Sequence, residues 1–178
     1  MEWNQSDIIK ACRKQNKTAQ KALFQRYSKQ FYGLCLRYVN NREVAEEVLM
    51  DAFMDIFKNI KKYKTKSFEA WMKSIVVHKS IDYYRKHKND PMFSDVDTVY
   101  AGGLSNPQTN DVEMDELLKM LYTLPAGYRM VFNLFAIEGY QHKEIAKQLG
   151  ISESTSKTQF LKAKQKLQII MEKGGYHG

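Results

Sequence analysis

The residues best suited to a chemical role lie between positions 142 and 167. There an apolar stretch ends at Leu149, Gly150 can adopt the left-handed conformation of a tight helix end, and Ser152 is a helix-capping residue type. This order predicts a helix-turn-helix whose second helix could hydrogen-bond base edges in a major groove. A helical hairpin with a solvated polar face is the alternative. The side chains predicted to face outward are Ser154, Ser156, Lys157, Thr158 and Gln159, with Thr155, Lys162, Lys164 and Lys166 placed for phosphates.

A stripe of acidic residues occupies one face of a predicted helix over residues 43–60. The stripe consists of Glu43, Glu46, Glu47, Asp51 and Asp55, and no Lys or Arg interrupts it. Like charges four residues apart destabilise a helix by about 0.2–0.5 kcal/mol per pair. In a chain of net charge +8, such a stripe indicates a basic protein partner, although a solvated acidic face would show the same pattern.

Basic and aromatic residues are mixed in the segment that follows, residues 58–88. Basic groups can follow phosphates and aromatic rings can stack on unpaired bases, so this composition suits single-stranded or distorted DNA. The alternative is that Phe68 and Trp71 are ordinary core residues. The other members of this segment are Lys58, Lys61, Lys62, Tyr63, Lys64, Lys66, Lys73, His78, Lys79, Arg85, Lys86 and Lys88.

Catalytic and metal sites are not indicated by the sequence. The four histidines and the two cysteines, Cys12 and Cys35, lack the spacing of metal ligands, and no glycine-rich phosphate loop or nucleophile motif occurs. We therefore expect neither an enzyme nor a bound metal or other cofactor. No apolar run reaches the length that spans a bilayer, and two cysteines make no disulfide framework. We expect a cytoplasmic protein without membrane insertion.

The hydrophobic pattern predicts an all-α protein, because apolar residues recur every three or four positions and no segment alternates as a strand does. Two small helical domains are expected, residues 1–89 and residues 113–178. Between them, residues 90–112 contain four acidic residues and no basic one, with two prolines and two glycines, which predicts a flexible acidic linker. The positive net charge favours a polyanionic partner. After a short helix ending near residue 15, helices are predicted over 18–39, 43–60, 67–88, 113–123, 125–137, 141–149 and 152–171.

Three segments, taken in order, resemble the extracytoplasmic-function group of the sigma-70 family of RNA polymerase initiation factors. The family's polymerase-binding helix is similar to residues 45–60, AEEVLMDAFMDIFKNI. Its promoter-melting and −10-reading helix is similar to residues 67–88, SFEAWMKSIVVHKSIDYYRKHK. Its −35-reading domain is similar to residues 124–167, LPAGYRMVFNLFAIEGYQHKEIAKQLGISESTSKTQFLKAKQKL.

The resemblance implies three partners, namely bacterial core RNA polymerase, promoter DNA and an anti-sigma factor. The acidic stripe would meet the basic clamp coiled coil of the polymerase, and residues 61–67 would trap a base flipped out of the non-template strand. The residues implied for polymerase binding are Glu43, Glu46, Glu47, Met50, Asp51 and Asp55. Those implied for the −10 element are Lys61, Lys62, Tyr63, Lys64, Lys66, Ser67, Trp71, His78, Lys79 and Arg85. Those implied for the −35 element are Lys143, Ser152, Ser154, Thr155, Ser156, Lys157, Thr158, Gln159 and Lys162.

The sequence departs from the family pattern at positions implied in DNA reading. His78 stands where many relatives have Asn, and Gln159 stands where an Arg is common. Because Gln pairs with adenine rather than guanine, these departures affect the promoter sequence rather than the role. Ser154 and Ser156 likewise replace a usual Gly and a usual aliphatic residue. Two rival interpretations are a stand-alone helix-turn-helix regulator, with an oligomerising first domain, and an RNA-binding adaptor.

Overall fold

A computed structural model describes residues 3–64, 67–90 and 112–174 of the chain. Every regular element in these residues is helical, which confirms the all-α prediction. The helices are α1 (Gln5–Arg13), α2 (Lys17–Tyr38), α3 (Arg42–Asn59), α4 (Phe68–His87), α5 (Val112–Tyr122), α6 (Ala126–Phe132), α7 (His142–Leu149) and α8 (Glu153–Lys173). A 3₁₀ turn over Ile60–Lys62 follows α3, and a π-helical segment over Asn133–Ile137 follows α6.

The chain divides into two compact units, Met1–Asp82 and Tyr83–Gly178, and the division falls within α4. The predicted acidic linker lies outside the described residues except for Asp90 and Val112 at its two ends. The domain boundaries at residues 89 and 113 therefore stay predictions. In the described part of the chain, no helix has both the length and the apolar character needed to cross a bilayer.

In the first unit, α2 and α3 pack through aromatic side chains. The ring centroid of Phe53 in α3 lies 4.8 Å from that of Phe24 and 6.2 Å from that of Phe31, both in α2. Such tilted and edge-on pairs stabilise a core beyond the apolar area that they bury. The buried face of α3 is the predicted one and consists of Ala45, Val48, Leu49, Ala52, Phe53 and Ile56. Burial of this face directs the acidic residues of α3 to solvent.

Both cysteines, Cys12 and Cys35, are free and buried in the first unit. Burial raises the pKa of the Cys12 thiol to about 11 and that of the Cys35 thiol to about 12. Both groups therefore remain protonated near neutral pH and act as small apolar side chains of the core.

The second unit contains the predicted helix-turn-helix. Ile145, Ala146 and Leu149 form the buried face of α7, and Gly150 ends that helix with φ of +67°. Ser152 caps α8, which packs on α6. A core of Leu121, Leu124, Ala163 and Leu167 joins α5 to α8, with Leu117, Met120, Tyr128 and Phe132 packed against it. The prediction of this motif is confirmed.

The helix predicted over residues 125–137 differs from the expectation in its second half. Helix α6 ends at Phe132, and the chain continues as a π-helical segment. The buried Asn133 side chain donates through Nδ2 to the Arg129 carbonyl at 3.0 Å, where the α-helical pattern gives way. Gly139, with φ of +78°, then turns the chain toward α7.

Candidate protein and nucleic-acid interfaces

The acidic face of α3, defined as Glu43, Glu46, Glu47, Asp51 and Asp55, lies on the surface of the first unit. All but Asp55 are exposed, and Asp55 is half-buried. Asn41 starts the helix by accepting a hydrogen bond from the Val44 amide at 3.0 Å. Glu43 in the first turn is favoured by the helix dipole, whereas Asp51 and Asp55 lie in later turns and gain nothing from it. The structure thus keeps together the residues that the sequence placed in one stripe.

Two exposed methionines interrupt this acidic face. The predicted contact residue Met50 is 52 % exposed, and Met54, one turn further along, is 65 % exposed. Met54 also lines a shallow depression with Gln15, Gln20, Asp55, Phe57 and Lys58. Met54 was not predicted from the sequence, although its spacing of four from Met50 and three from Asp51 could have indicated it. Flexible methionines within a charged surface are typical of protein-binding sites.

Asp55 is not free of cationic neighbours. Its Oδ2 lies 2.9 Å from Nζ of Lys79 in α4, a residue 24 positions further along the chain. The hydrogen bond from Lys79 to Asp55 raises the pKa of the lysine ammonium, against a lowering effect of partial burial, and the charges of Asp51 and Asp82 raise it further. One predicted polymerase contact and one predicted −10 contact therefore form an ion pair with each other.

The loop that follows α3 is held by an arginine that sequence reasoning missed. Arg13 of α1 donates through Nη2 to the Tyr63 carbonyl at 2.9 Å and through Nε to the Ile60 carbonyl at 3.4 Å. The partners are 47 and 50 residues apart in sequence, and no local pattern signals such a contact. Lys61, Lys62 and Lys64 project from this loop as exposed side chains, while Lys66 lies outside the described residues.

Three aromatic residues pack together at the junction of the loop and α4. The Tyr63 ring centroid lies 5.0 Å from that of Phe68 and 5.4 Å from that of Trp71. Phe68 is buried, whereas Tyr63 and Trp71 are half-buried. The core interpretation is thus correct for Phe68, and the two other rings keep partly open surfaces. Ser67 caps α4 through an Oγ that accepts from the Ala70 amide at 3.2 Å.

The remaining −10 candidates are spread along α4. His78 and Arg85 lie seven residues apart in the helix, and both side chains are exposed. Two helical turns separate them, so they project in nearly the same direction from the helix. Lys79 follows His78 but is held by Asp55 as described above.

The turn of the helix-turn-helix is fixed by local hydrogen bonds. The Glu144 carboxylate accepts from the Gln141 amide at 2.8 Å, which completes a capping box at the start of α7. At the start of α8, Ser152 Oγ accepts from the Thr155 amide at 3.0 Å and lies 2.7 Å from the Thr155 hydroxyl. The first turn of α8 is therefore rigid, and it presents Ser154 to solvent.

The outer face of α8 forms a shallow depression with the start of α6. Five predicted −35 residues and Tyr128 line this depression. Tyr128 was not identified from the sequence, because nothing in its own segment distinguishes it from a core residue. Gly127 leaves room for the Gln159 side chain, since a Cβ at position 127 would lie 3.3 Å from Nε2 of Gln159. The five residues are Ser154, Thr155, Thr158, Gln159 and Lys162.

The prediction that Ser156 faces outward is wrong. Ser156 is fully buried, and its Oγ lies 2.9 Å from Nδ1 of His142 at the start of α7. The His142 ring stacks on Phe135 with a centroid distance of 4.2 Å. Burial and the nearby Lys157 lower the pKa of His142, which favours the neutral imidazole that Ser156 contacts. Ser156 joins the two helices of the motif and cannot reach a base edge from this position.

The basic residues at the ends of the motif are accessible. Lys143 is exposed on α7, and Lys157 and Lys162 are exposed on α8. Lys157 pairs with Glu153 at 2.9 Å one turn earlier, and this bond lowers the pKa of the Glu153 carboxyl. A pair this exposed is weak, so it does not prevent Lys157 from exchanging Glu153 for a phosphate.

Comparisons with known proteins match two segments of the chain to one family. Residues 23–89 match the family described as Sigma-70 region 2, and residues 114–167 match Sigma-70, region 4. The chain is 26 % identical over 155 residues to the ECF RNA polymerase sigma factor SigM of Bacillus subtilis, covering 85 % of this chain and 94 % of that protein. It is also 26 % identical over 174 residues to SigW of the same organism, covering 89 % and 92 %.

A solved structure shows the same fold. The sigma factor RpoE of Bartonella quintana, crystallised with the anti-sigma factor NepR, matches with a TM-score of 0.55 at 18 % identity, over 85 % of this chain and 96 % of that one. The matches to both sigma-70 regions and to ECF sigma factors over most of their length show that the chain belongs to the extracytoplasmic-function group of the sigma-70 family and is a sigma factor that directs RNA polymerase to initiate transcription at specific promoters.

Proposed function

We propose that the chain binds core RNA polymerase through the acidic face of α3, together with Met50 and Met54. This proposal rests on the exposure of four carboxylates on one helix of a protein that is basic overall. The opposite face of that helix is buried in the core of the first unit. The four residues are Glu43, Glu46, Glu47 and Asp51. Exposed carboxylates contribute little affinity singly but steer a basic partner, while the methionines supply apolar contact. The two kinds of side chain together suit a basic helical surface with apolar anchors.

The −10 element would be bound by the loop and by α4. Lys61, Lys62 and Lys64 would contact phosphates, and the open sides of Tyr63 and Trp71 would stack on an unpaired base. His78 and Arg85 would continue the contact along α4. Flipping a base costs a few kcal/mol, which stacking and phosphate contacts must offset. The Arg13 hydrogen bonds favour this role, because they hold the backbone at Ile60 and Tyr63 in place before DNA arrives.

The −35 element would be bound by the outer face of α8. Ser154, Thr158 and Gln159 would reach base edges, while Lys143, Lys157 and Lys162 would contact phosphates. Ser152, which caps α8, and Thr155 in the first turn would offer their hydroxyls to a phosphate. Tyr128 joins this set as a neighbour of the same depression.

The domain division at residues 89 and 113 would separate these two DNA-reading regions. The factor would act by binding alone, in the cytoplasm, with no catalytic step of its own. An anti-sigma factor would cover the same surfaces, as suggested by the related RpoE, whose structure was solved with such a partner.

Charge reversal of the acidic face tests the polymerase interface. Glu47→Lys combined with Asp51→Lys places like charges against a basic partner, so we expect binding to core RNA polymerase to weaken by about 100-fold or more. Glu113→Lys combined with Glu172→Lys makes the same change in net charge at exposed positions of α5 and α8 and serves as the control. Fluorescence titration of labelled chain with core polymerase measures both.

Unchanged polymerase binding by the first double variant would show that the interface lies elsewhere. Equal losses in the two double variants would show that only total charge matters. Binding to duplex DNA without any affinity for the polymerase would favour the stand-alone regulator.

A further inference from the structure

The Asp55–Lys79 ion pair connects two surfaces that bind different partners. Asp55 is the last member of the acidic face, and Lys79 follows His78 in α4, among the residues proposed to bind the −10 element. Their charged atoms lie 2.9 Å apart, and the side chains are 40 % and 27 % exposed. Asp51 and Asp82 add negative charge around the same ammonium and help to keep it protonated, with a raised pKa.

This arrangement weakens Lys79 as a DNA ligand in the free chain. A phosphate that approaches Lys79 must compete with Asp55 and is repelled by that carboxylate. The same ion pair opposes polymerase binding, because a basic group of the polymerase that binds Asp55 must displace Lys79. Each partner therefore has to break the same ion pair, and the free-energy cost of breaking it is incurred only once when both partners are bound.

We propose that Asp55 holds Lys79 in the free chain, and that basic groups of the polymerase, by pairing with Asp55, release Lys79 to a phosphate of the −10 element. This inference rests on the proposed function, since it needs the acidic face to bind the polymerase. Binding of the two partners is then positively coupled, and the coupling is reciprocal. Its size is bounded by the strength of one partly exposed ion pair, which corresponds to about a twofold to fivefold change in affinity.

The free chain provides the first test. Asp55→Asn removes the carboxylate charge while preserving its shape, so the variant should bind a single-stranded −10 oligonucleotide about twofold to fivefold more tightly than the original chain. Asp7→Asn makes the same substitution at an exposed position of α1 that belongs to neither surface. Fluorescence anisotropy at low ionic strength measures the affinities.

A double-variant cycle assigns the effect to the pair. In a Lys79→Gln background, Asp55→Asn should give no gain beyond that of Asp7→Asn, because no ammonium remains to be released. A gain that persists without Lys79, or one that Asp7→Asn reproduces, would overturn the proposal and attribute the effect to general charge. The folded state of each variant is checked by circular dichroism.

The holoenzyme provides the second test. With core polymerase bound, Asp55→Asn and the original chain should bind the same oligonucleotide equally, since the polymerase has already released Lys79. If the variant keeps its full advantage in the holoenzyme, the polymerase does not act on the pair and the coupling is absent. Failure of the original chain to bind the polymerase at all would instead contradict the proposed function.

Discussion

The two regions of this sigma factor that we propose to bind promoter DNA obtain their geometry in different ways. In the helix-turn-helix, the hydrogen bonds that hold the motif join residues close in sequence. Gln141 and Glu144 are three residues apart, as are Ser152 and Thr155, and His142 and Ser156 are 14 residues apart. In the −10 region, the loop depends on Arg13, and Lys79 depends on Asp55. The helix-turn-helix is therefore held by contacts within its own segment, whereas the −10 region is held by contacts with distant parts of the chain.

This difference has a consequence for function. A locally built motif keeps its binding face whatever the first unit does, so its affinity for the −35 element should not depend on the polymerase surface. A region built from distant contacts can respond to a partner that alters those contacts, and Asp55 lies on the proposed polymerase surface. We expect promoter melting to depend on polymerase binding in this way, because melting should follow assembly of the holoenzyme.

The largest effect is expected from the residues of the helix-turn-helix that we propose to contact DNA. Replacing Gln159 with Ala should change the preference at one −35 position by about 1–3 kcal/mol, because a paired donor and acceptor are lost at one base. Replacing Lys162 with Ala should weaken all sequences similarly, because a phosphate contact carries no sequence information. Binding to a set of −35 variants by the holoenzyme separates the two results. Equal, sequence-independent losses for both substitutions would exclude Gln159 from base reading.

An intermediate effect is expected when a distant contact of the −10 region is removed. Arg13→Gln loses the hydrogen bonds to the Ile60 and Tyr63 carbonyls, so the free energy of unfolding should fall by about 1–2 kcal/mol and open-complex formation should slow. Polymerase binding and −35 affinity should stay unchanged. Denaturant unfolding and permanganate footprinting measure the two effects.

The control for this change is Arg26→Gln. Arg26 also donates to a backbone carbonyl, that of Trp3 at 2.6 Å, but in an exposed setting away from the loop. Its replacement should cost about 0.5 kcal/mol or less and leave promoter melting intact. Equal melting defects in the two variants would show that the loop does not rely on Arg13.

The smallest effect concerns the pH dependence of the helix-turn-helix. Burial and Lys157 lower the pKa of His142 in the folded protein, so folding favours the neutral ring. The resulting stability is present above the unfolded pKa and is lost as the pH falls through it toward the folded pKa. Melting temperature should therefore decrease between about pH 7.5 and about pH 5.5, and His142→Gln should reduce this decrease. The exposed His78→Gln is the control, and identical slopes for both variants would contradict this assignment.

Sequence reasoning predicted the helices and the motif well because their signals are local. Gly150 and Ser152 identified the turn, and the apolar spacing of α3 placed its acidic face on the surface. Ser156 was misplaced because a small polar residue gives no periodic signal, and its burial depends on His142 from the other helix. Met54 was overlooked since one exposed apolar residue resembles many others. The Arg13 and Lys79 contacts could not be predicted, because only tertiary packing brings these side chains to their partners.

The ability of this chain to join RNA polymerase and select promoters can be measured by gel filtration of the purified chain with bacterial core RNA polymerase, followed by transcription from a fragment library of the source genome. We expect co-elution and new start sites that share two spaced elements. Absence of co-elution, with duplex DNA still bound by the chain alone, would contradict this expectation.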